Sequence, residues 1–145
     1  KLYQRDNLTG VEVLDYIENL SNTLIDAYSV NTHKVKVAYK VDKLNLDVDT
    51  MIPMGLILNE LISNAFKHAF PTGEGELTIA LNKQGEQLVL NVTDNGVGAD
   101  TNIKESNSFG MRMIQSLARK LEAEINFDFK KGTAVRMAIS NYKLV

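Results

Sequence analysis

The stretch LNELISNAFKHAF, residues 58–70, carries an acid, an amide and two bases at helical spacing. Asn64, Lys67 and His68 follow Glu60 at intervals of 4, 7 and 8 residues, which places all four on one helix stripe. Leu58, Leu61, Ile62, Ala65, Phe66 and Ala69 take up most of the remaining circumference. A solvated helix face accounts for any one of the four. In line, on a helix otherwise made for burial, they ask for a ligand. Asn64 offers a neutral oxygen that suits Mg2+ when phosphates supply the other charges. Lys67 and His68 can meet phosphate oxygens, while Glu60, a turn earlier, has no cation beside it and can handle a proton.

Two further stretches bear on chemistry. TDNGVGAD, residues 93–100, sets Asp94 before Gly96 and Gly98, so a carboxylate is fixed beside a tight backbone turn. In SFGMRMI, residues 108–114, Gly110 opens a helix whose free backbone N–H groups form an anion site that a phosphate can approach closely. Each alone also describes an ordinary turn or loop–helix junction. The polar run between them, 95–108, lacks core-facing periodicity, and residues 99–108 read as a mobile lid over the site.

The elements that position these residues follow from periodicity. Thr9-Gly10-Val11-Glu12 has capping-box spacing, and Val13, Ile17, Leu20, Leu24 and Tyr28 recur at helical intervals. Val35, Val37, Tyr39 and Val41 then alternate with lysines, which makes a strand with one wet face. Asp49 or Thr50 is placed to cap the next helix, with Pro53 in its first turn and Phe70-Pro71 stopping it. Leu77, Ile79 and Leu81 pair with Leu88, Leu90 and Val92 in a hairpin turning at Gly85. Met111, Ile114, Leu117, Ala118 and Leu121 form a third helix face. Ile125, Phe127 and Phe129 lead through Lys130-Lys131-Gly132 into Val135, Met137 and Ile139, a second hairpin.

Five strands with one apolar face each share a sheet only if the helices cover one side. Lys34, Lys36, Asn82, Asn91, Asn126, Asp128 and Arg136 suit the opposite, wet side. The fold class is α/β: a two-layer α/β sandwich with a mixed five-stranded sheet and helices on one face.

Composition limits the partners. The chain has 145 residues, enough for one core, and a net charge of −2 sets up no basic field for nucleic acid or an anionic membrane. Cysteine is absent, so disulfides and thiolate metal sites are excluded, and a cytoplasmic setting is expected. No apolar run approaches the roughly 20 residues that span a bilayer.

In this order and spacing the three stretches resemble the ATP-binding domain of histidine kinases, within the GHKL superfamily of the Bergerat fold. NELISNAFKHAF is similar to the family's N box, DNGVG to its first glycine box and SFGM to its second, and KGTAVRMAI resembles its closing Gly-Thr hairpin. IPMGLILNELISNAFKHAFP resembles the HisKA_2 or closely similar HWE branch of sensor kinases. The resemblance implies that ATP and Mg2+ are the ligands. Asn64 would hold Mg2+, Lys67 and His68 would approach phosphates, and Asp94 would accept from the adenine amino group. Gly96 and Gly98 would shape the adenine pocket, with Thr133 near its polar edge, and the backbone of Phe109, Gly110 and Met111 would face the phosphates. Glu60 would orient or deprotonate the attacking imidazole.

Two departures stand out. The second glycine box has one glycine, Gly110, where many histidine kinases show two, and the short loop lacks a clear phenylalanine box. Only His33 and His68 are present, and neither lies in a motif resembling an acceptor helix. Residues 1–8 read as the end of a preceding segment and 9–145 as the catalytic domain. The implied partners are ATP and ADP, a phosphoacceptor histidine hairpin of the parent protein and a response regulator. Nucleic acid and membrane contact are not expected of this domain. The isolated domain is expected to be monomeric, its parent cytoplasmic or membrane-anchored. Two alternatives stay open: a serine kinase of the anti-sigma-factor type, and a non-catalytic nucleotide-binding docking module.

Overall fold

The computed structural model describes residues 10–28, 34–70, 73–96 and 108–145. Thr9, His33, Pro71, Gly98, the 1–8 segment and residues 99–107 of the expected lid lie outside the described residues.

The main sheet has five strands in the order β2-β4-β5-β7-β6: β2 (Val35–Val41), β4 (Gly75–Gln84), β5 (Gln87–Asp94), β6 (Ala123–Asp128) and β7 (Thr133–Ile139). β2 runs parallel to β4 and every other pair is antiparallel, so the sheet is mixed as expected. The parallel pair needs a long crossover, and α2 supplies it (Val48–Asn64). With α1 (Val13–Ala27) and α3 (Phe109–Lys120), α2 covers one face of the sheet. Leu77, Ile79, Leu81, Leu88, Leu90 and Met137 project into that layer and are almost wholly buried. Each such side chain contributes roughly 1.5–3 kcal/mol of transfer free energy. Lys34, Lys36, Asn126, Asp128 and Arg136 are exposed, with Asn82 and Asn91 half-buried. Val89 and Ala138, paired neighbours on that same outer side, are buried.

The β4–β5 hairpin turns on two residues, Gly85 and Glu86, between the paired Gln84 and Gln87. Gly85 has φ +63°, the first position of a type II′ turn, whose twist matches the flanking strands.

Two short strands depart from expectation. β1 (Gly10–Glu12) and β3 (Asn45–Asp47) pair antiparallel as a second small sheet. Thr9 lies outside the described residues, and the helix starts only at Val13. Residues 10–12 are held extended by β3, and Glu12 itself caps α1, its carboxylate accepting from Leu14 N at 2.9 Å. α2, by contrast, begins earlier than expected, capped by Asp47, which accepts from Asp49 N at 3.0 Å. Asp49 and Thr50, the two expected caps, lie inside the helix, and Thr50 is buried and accepts from Lys143 N at 3.0 Å. Pro53 consequently sits beyond the first turn, where the bond it forgoes is to the Asp49 carbonyl. The C-terminal residues lie along β3, with Lys143 O accepting from Asp47 N and Val145 N donating to Asn45 O, both at 2.9 Å. Gly10 lies against the Val145 side chain.

Candidate functional site

α2 does not end as an α-helix. After Asn64 the chain makes one π-helical turn, Ala65–Ala69, before Phe70 leaves it. A π turn bonds i to i+5 and takes more residues per revolution than the 3.6 of an α-helix. His68, four residues on, therefore returns nearly over Asn64, while Lys67 falls short of the stripe. Asn64 and His68 line one cleft together. Lys67 does not line it: the residue is exposed and its Nζ lies 5.6 Å from the centroid of the Tyr28 ring.

The cleft lies between α2, its π turn, α3 and the ends of β5 and β7, and is partly open to solvent. Leu61, Ala65, Ala69, Val92, Met111, Ile114 and Val135 make its apolar walls. Phe127 and Phe129 stand at one side with ring centroids 6.0 Å apart and planes 18° from parallel, a flat aromatic wall. The polar groups are few: Asn64, His68, Asp94 and Thr133. Among the described residues no cluster of His, Cys, Asp or Glu is gathered to hold a metal by itself.

Asp94 is the buried acid of the site, ending β5 at 9% exposure. Its Oδ1 accepts from Gly96 N at 2.9 Å and from Thr133 N at 3.2 Å. Oδ2 has no partner among the described residues, and it belongs to a side chain that lines the cleft. Burial pushes the carboxyl up from its ordinary range, and the two backbone donors pull it back part of the way. Glycines make this packing possible. A Cβ on Gly132, at φ +76°, would collide with the Asp94 carbonyl, and one on Gly96 would collide with that of Ala69. Gly96 thus ties the end of β5 to the end of the π turn and closes one wall.

At the opposite wall α3 begins. Ser108 caps it, Oγ accepting from Met111 N at 3.2 Å. Met111 is buried and lines the cleft, whereas Phe109 is 76% exposed. Glu60, half-buried, places its carboxylate against Gly110, where any Cβ would collide with it. Neither Glu60 nor the first two α3 amides, on Phe109 and Gly110, has a hydrogen-bond partner among the described residues. An acid and a helix start with bonding capacity to spare therefore face one another at the cleft mouth.

The structure thus brings Asn64, His68, Asp94, Met111 and Thr133 to the cleft, while Glu60, Lys67, Gly96, Phe109 and Gly110 do not line it; Gly96 packs on Ala69 and bonds Asp94, and Glu60 meets Gly110. Sequence reasoning missed the apolar lining, above all Phe127 and Phe129, because strand alternation assigns them to the general core.

The sequence profile of histidine kinase-like ATPase domains matches residues 20–139. The chain belongs to this family. The domain is 32% identical over 136 residues to the blue-light-activated histidine kinase 2 of Erythrobacter litoralis, covering 86% of this chain and 39% of that protein. The chain thus spans about two fifths of that relative's length. A solved histidine kinase domain from an Erythrobacter litoralis blue-light activated histidine kinase superimposes with a TM-score of 0.82 at 25% identity, covering 97% of this chain and 70% of that one. A more distant match is the anti-sigma F factor of Clostridium kluyveri, 30% identical over 67 residues, 46% of this chain and 47% of that protein. As a histidine kinase-like ATPase domain, the chain has the α/β fold expected of it. Among its described residues no helix is long and apolar enough to cross a membrane.

Proposed function

We propose that this domain is the catalytic part of a two-component sensor histidine kinase, moving the γ-phosphoryl group of ATP to a histidine on a separate helical hairpin. The observation that carries the reading is Asp94. A buried carboxylate with one oxygen tied to two amides and the other bare, in a mainly apolar cleft with an aromatic wall, matches a planar base bearing one amino group.

The residues present fit Mg-ATP. The base lies between the apolar walls, its amino group donating to Asp94 Oδ2. His68 and the α3 amides of Phe109 and Gly110 face the phosphates. Asn64 supplies a neutral oxygen to Mg2+, which, when bound, offsets phosphate charge. In the transfer, an imidazole nitrogen of the acceptor bonds to the γ-phosphorus as the bond to the bridging oxygen breaks, and ADP leaves. Glu60 at the mouth accepts the proton or hydrogen bond of the other imidazole nitrogen. Little more than positioning and charge neutralisation is required.

The test is to supply Mg-ATP and the hairpin of the parent protein and to follow phosphate onto it. Acid-labile, alkali-stable label on the hairpin histidine is expected, with Glu60→Gln retaining nucleotide affinity but slowing transfer about 100-fold or more. Acid-stable label on a serine of another protein would favour the anti-sigma-factor reading, which the shorter match to the Clostridium kluyveri protein keeps in view. Nucleotide binding with no transfer to any acceptor would leave a docking module.

A further inference from the structure

The ladder between β4 and β5 closes on a bond that the main chain does not make alone. Leu77 and Asp94 end the paired register, and Glu76 and Asn95 stand opposite one another just past them. Asn95 N donates to Glu76 O at 3.2 Å, as one half of an ordinary antiparallel pair. The return bond goes elsewhere. Glu76 N donates at 2.7 Å to Oδ1 of the Asn95 side chain, which takes the place of that residue's own carbonyl. Asparagine suits the exchange because its side chain ends in an amide like the peptide group. Its seat is kept open by Gly75, where a Cβ would stand 3.0 Å from Asn95 Oδ1 and collide with the Phe70 ring.

The consequence falls on the next residue. With the ladder completed by a side chain, the main chain leaves the sheet at Asn95. Gly96 N then turns to Asp94 Oδ1 at 2.9 Å, and Gly96 comes against the Ala69 carbonyl. Without Gly96 the Asp94 carboxylate would be held by Thr133 N alone, at 3.2 Å, and a single bond leaves it free to swing.

We propose that Asn95 is a positioning residue for base recognition: its side chain turns Gly96 inward, and Gly96 fixes Asp94 so that Oδ2 is presented to the amino group of the base. The proposal rests on the histidine kinase reading, in which Asp94 meets adenine, and deepens it. Asn95 is exposed and lines no part of the cleft, so it acts on nucleotide through Asp94. The groups assigned to the phosphates stand on the π turn and on α3. A fault at Asn95 therefore falls on the base and spares the phosphates.

The experiment compares ATP with GTP by calorimetry on the whole domain with Mg2+ present, and follows amide exchange of Gly96 by NMR without nucleotide. In Asn95→Ala the Gly96 amide should exchange at least about tenfold faster. ATP affinity should fall about tenfold and GTP affinity by less than about threefold, so the preference narrows. Tenfold is about 1.4 kcal/mol, the scale of one hydrogen bond to a charged group. Asn95→Asp keeps an acceptor oxygen in the same place and should restore both the slow exchange and the preference. If Asn95→Ala does not fold, Asn95→Ser, whose oxygen stands one bond short of the Glu76 amide, decides by the same measurements. Unaltered Gly96 exchange, an unaltered preference, or an equal loss of both affinities overturns the positioning role and leaves the reading of Asp94 intact. A wild-type domain that prefers neither nucleotide overturns both.

Discussion

The carboxylate of Glu60 lies against the Cα of Gly110, so a residue of the second helix and the first turn of the third share the cleft mouth without room for one more carbon. The obstacle to a larger side chain is the far end of a flexible glutamate, which can swing aside. Gly110→Ala should therefore fold with an unfolding midpoint close to wild type while displacing the Glu60 carboxylate. Phosphoryl transfer should fall by more than nucleotide affinity does, as parallel calorimetry and single-turnover assays would show. An equal fall in both would mean that Gly110 serves phosphate binding alone.

Gly132 presents the opposite case. Its missing side chain faces the backbone of Asp94, at a positive φ that other residues adopt at a cost of roughly 1–3 kcal/mol. Gly132→Ala should destabilise the domain by about 2–4 kcal/mol, read as a lowered urea midpoint at unchanged slope.

Asp94→Asn tests nucleotide choice. The amide oxygen of the new side chain can still accept from Gly96 and Thr133, but an NH2 group then replaces the bare Oδ2 and presents donors to the amino group of adenine. ATP affinity should fall by at least about tenfold, and the wild-type preference for ATP over GTP should shrink. Calorimetry with both nucleotides gives the answer. Affinity equal for the two in the wild-type domain would remove Asp94 from base recognition.

The same residue predicts a pH dependence. Its folded pKa is raised above the ordinary value of 3.8, so its favourable contribution is complete below that value and lost as pH rises through the higher folded pKa. Asp94→Asn, which cannot ionise, should be at least as stable as wild type at neutral pH, with any advantage shrinking as pH falls towards about 4. Thermal melts of both proteins across that range would show it. A wild-type advantage at neutral pH would contradict the burial cost.

Lys67 and His68 are adjacent in sequence but should behave differently. His68→Ala should weaken ATP binding several-fold, and Lys67→Ala should change it by less than about threefold, because the ammonium sits over Tyr28. Asn64→Ala should weaken binding with Mg2+ present more than with the ion chelated.

Much of this arrangement was legible from spacing. Alternation at Leu77, Ile79 and Leu81 and at Val135, Met137 and Ile139 announces a sheet with one apolar face, and that is the sheet formed. The small sheet was not legible, because three-residue strands such as β1 and β3 carry no period and exist through tertiary pairing. The π turn was hidden too. AFKHA has no glycine or proline to mark it, so a stripe drawn at 3.6 residues per turn keeps Lys67 in line when the backbone has turned it away. Phe127 and Phe129 follow the ordinary strand alternation, and only the α2–α3 opening beside them makes them cleft residues.

The adjacency of Gly10 and Val145 has a topological consequence. The path from the one to the other passes through every described strand and helix and returns to its origin, closing a ring but for one short gap. Such a ring can be cut elsewhere. A short flexible peptide joining Val145 to Gly10, with new ends opened at the Gly85-Glu86 turn, would keep every layer and both walls of the cleft in place. Polypeptide attached before Gly10 and polypeptide attached after Val145 would likewise meet the domain at one point. It would then hang as a side unit from a continuous line of chain, not as a bead threaded along it.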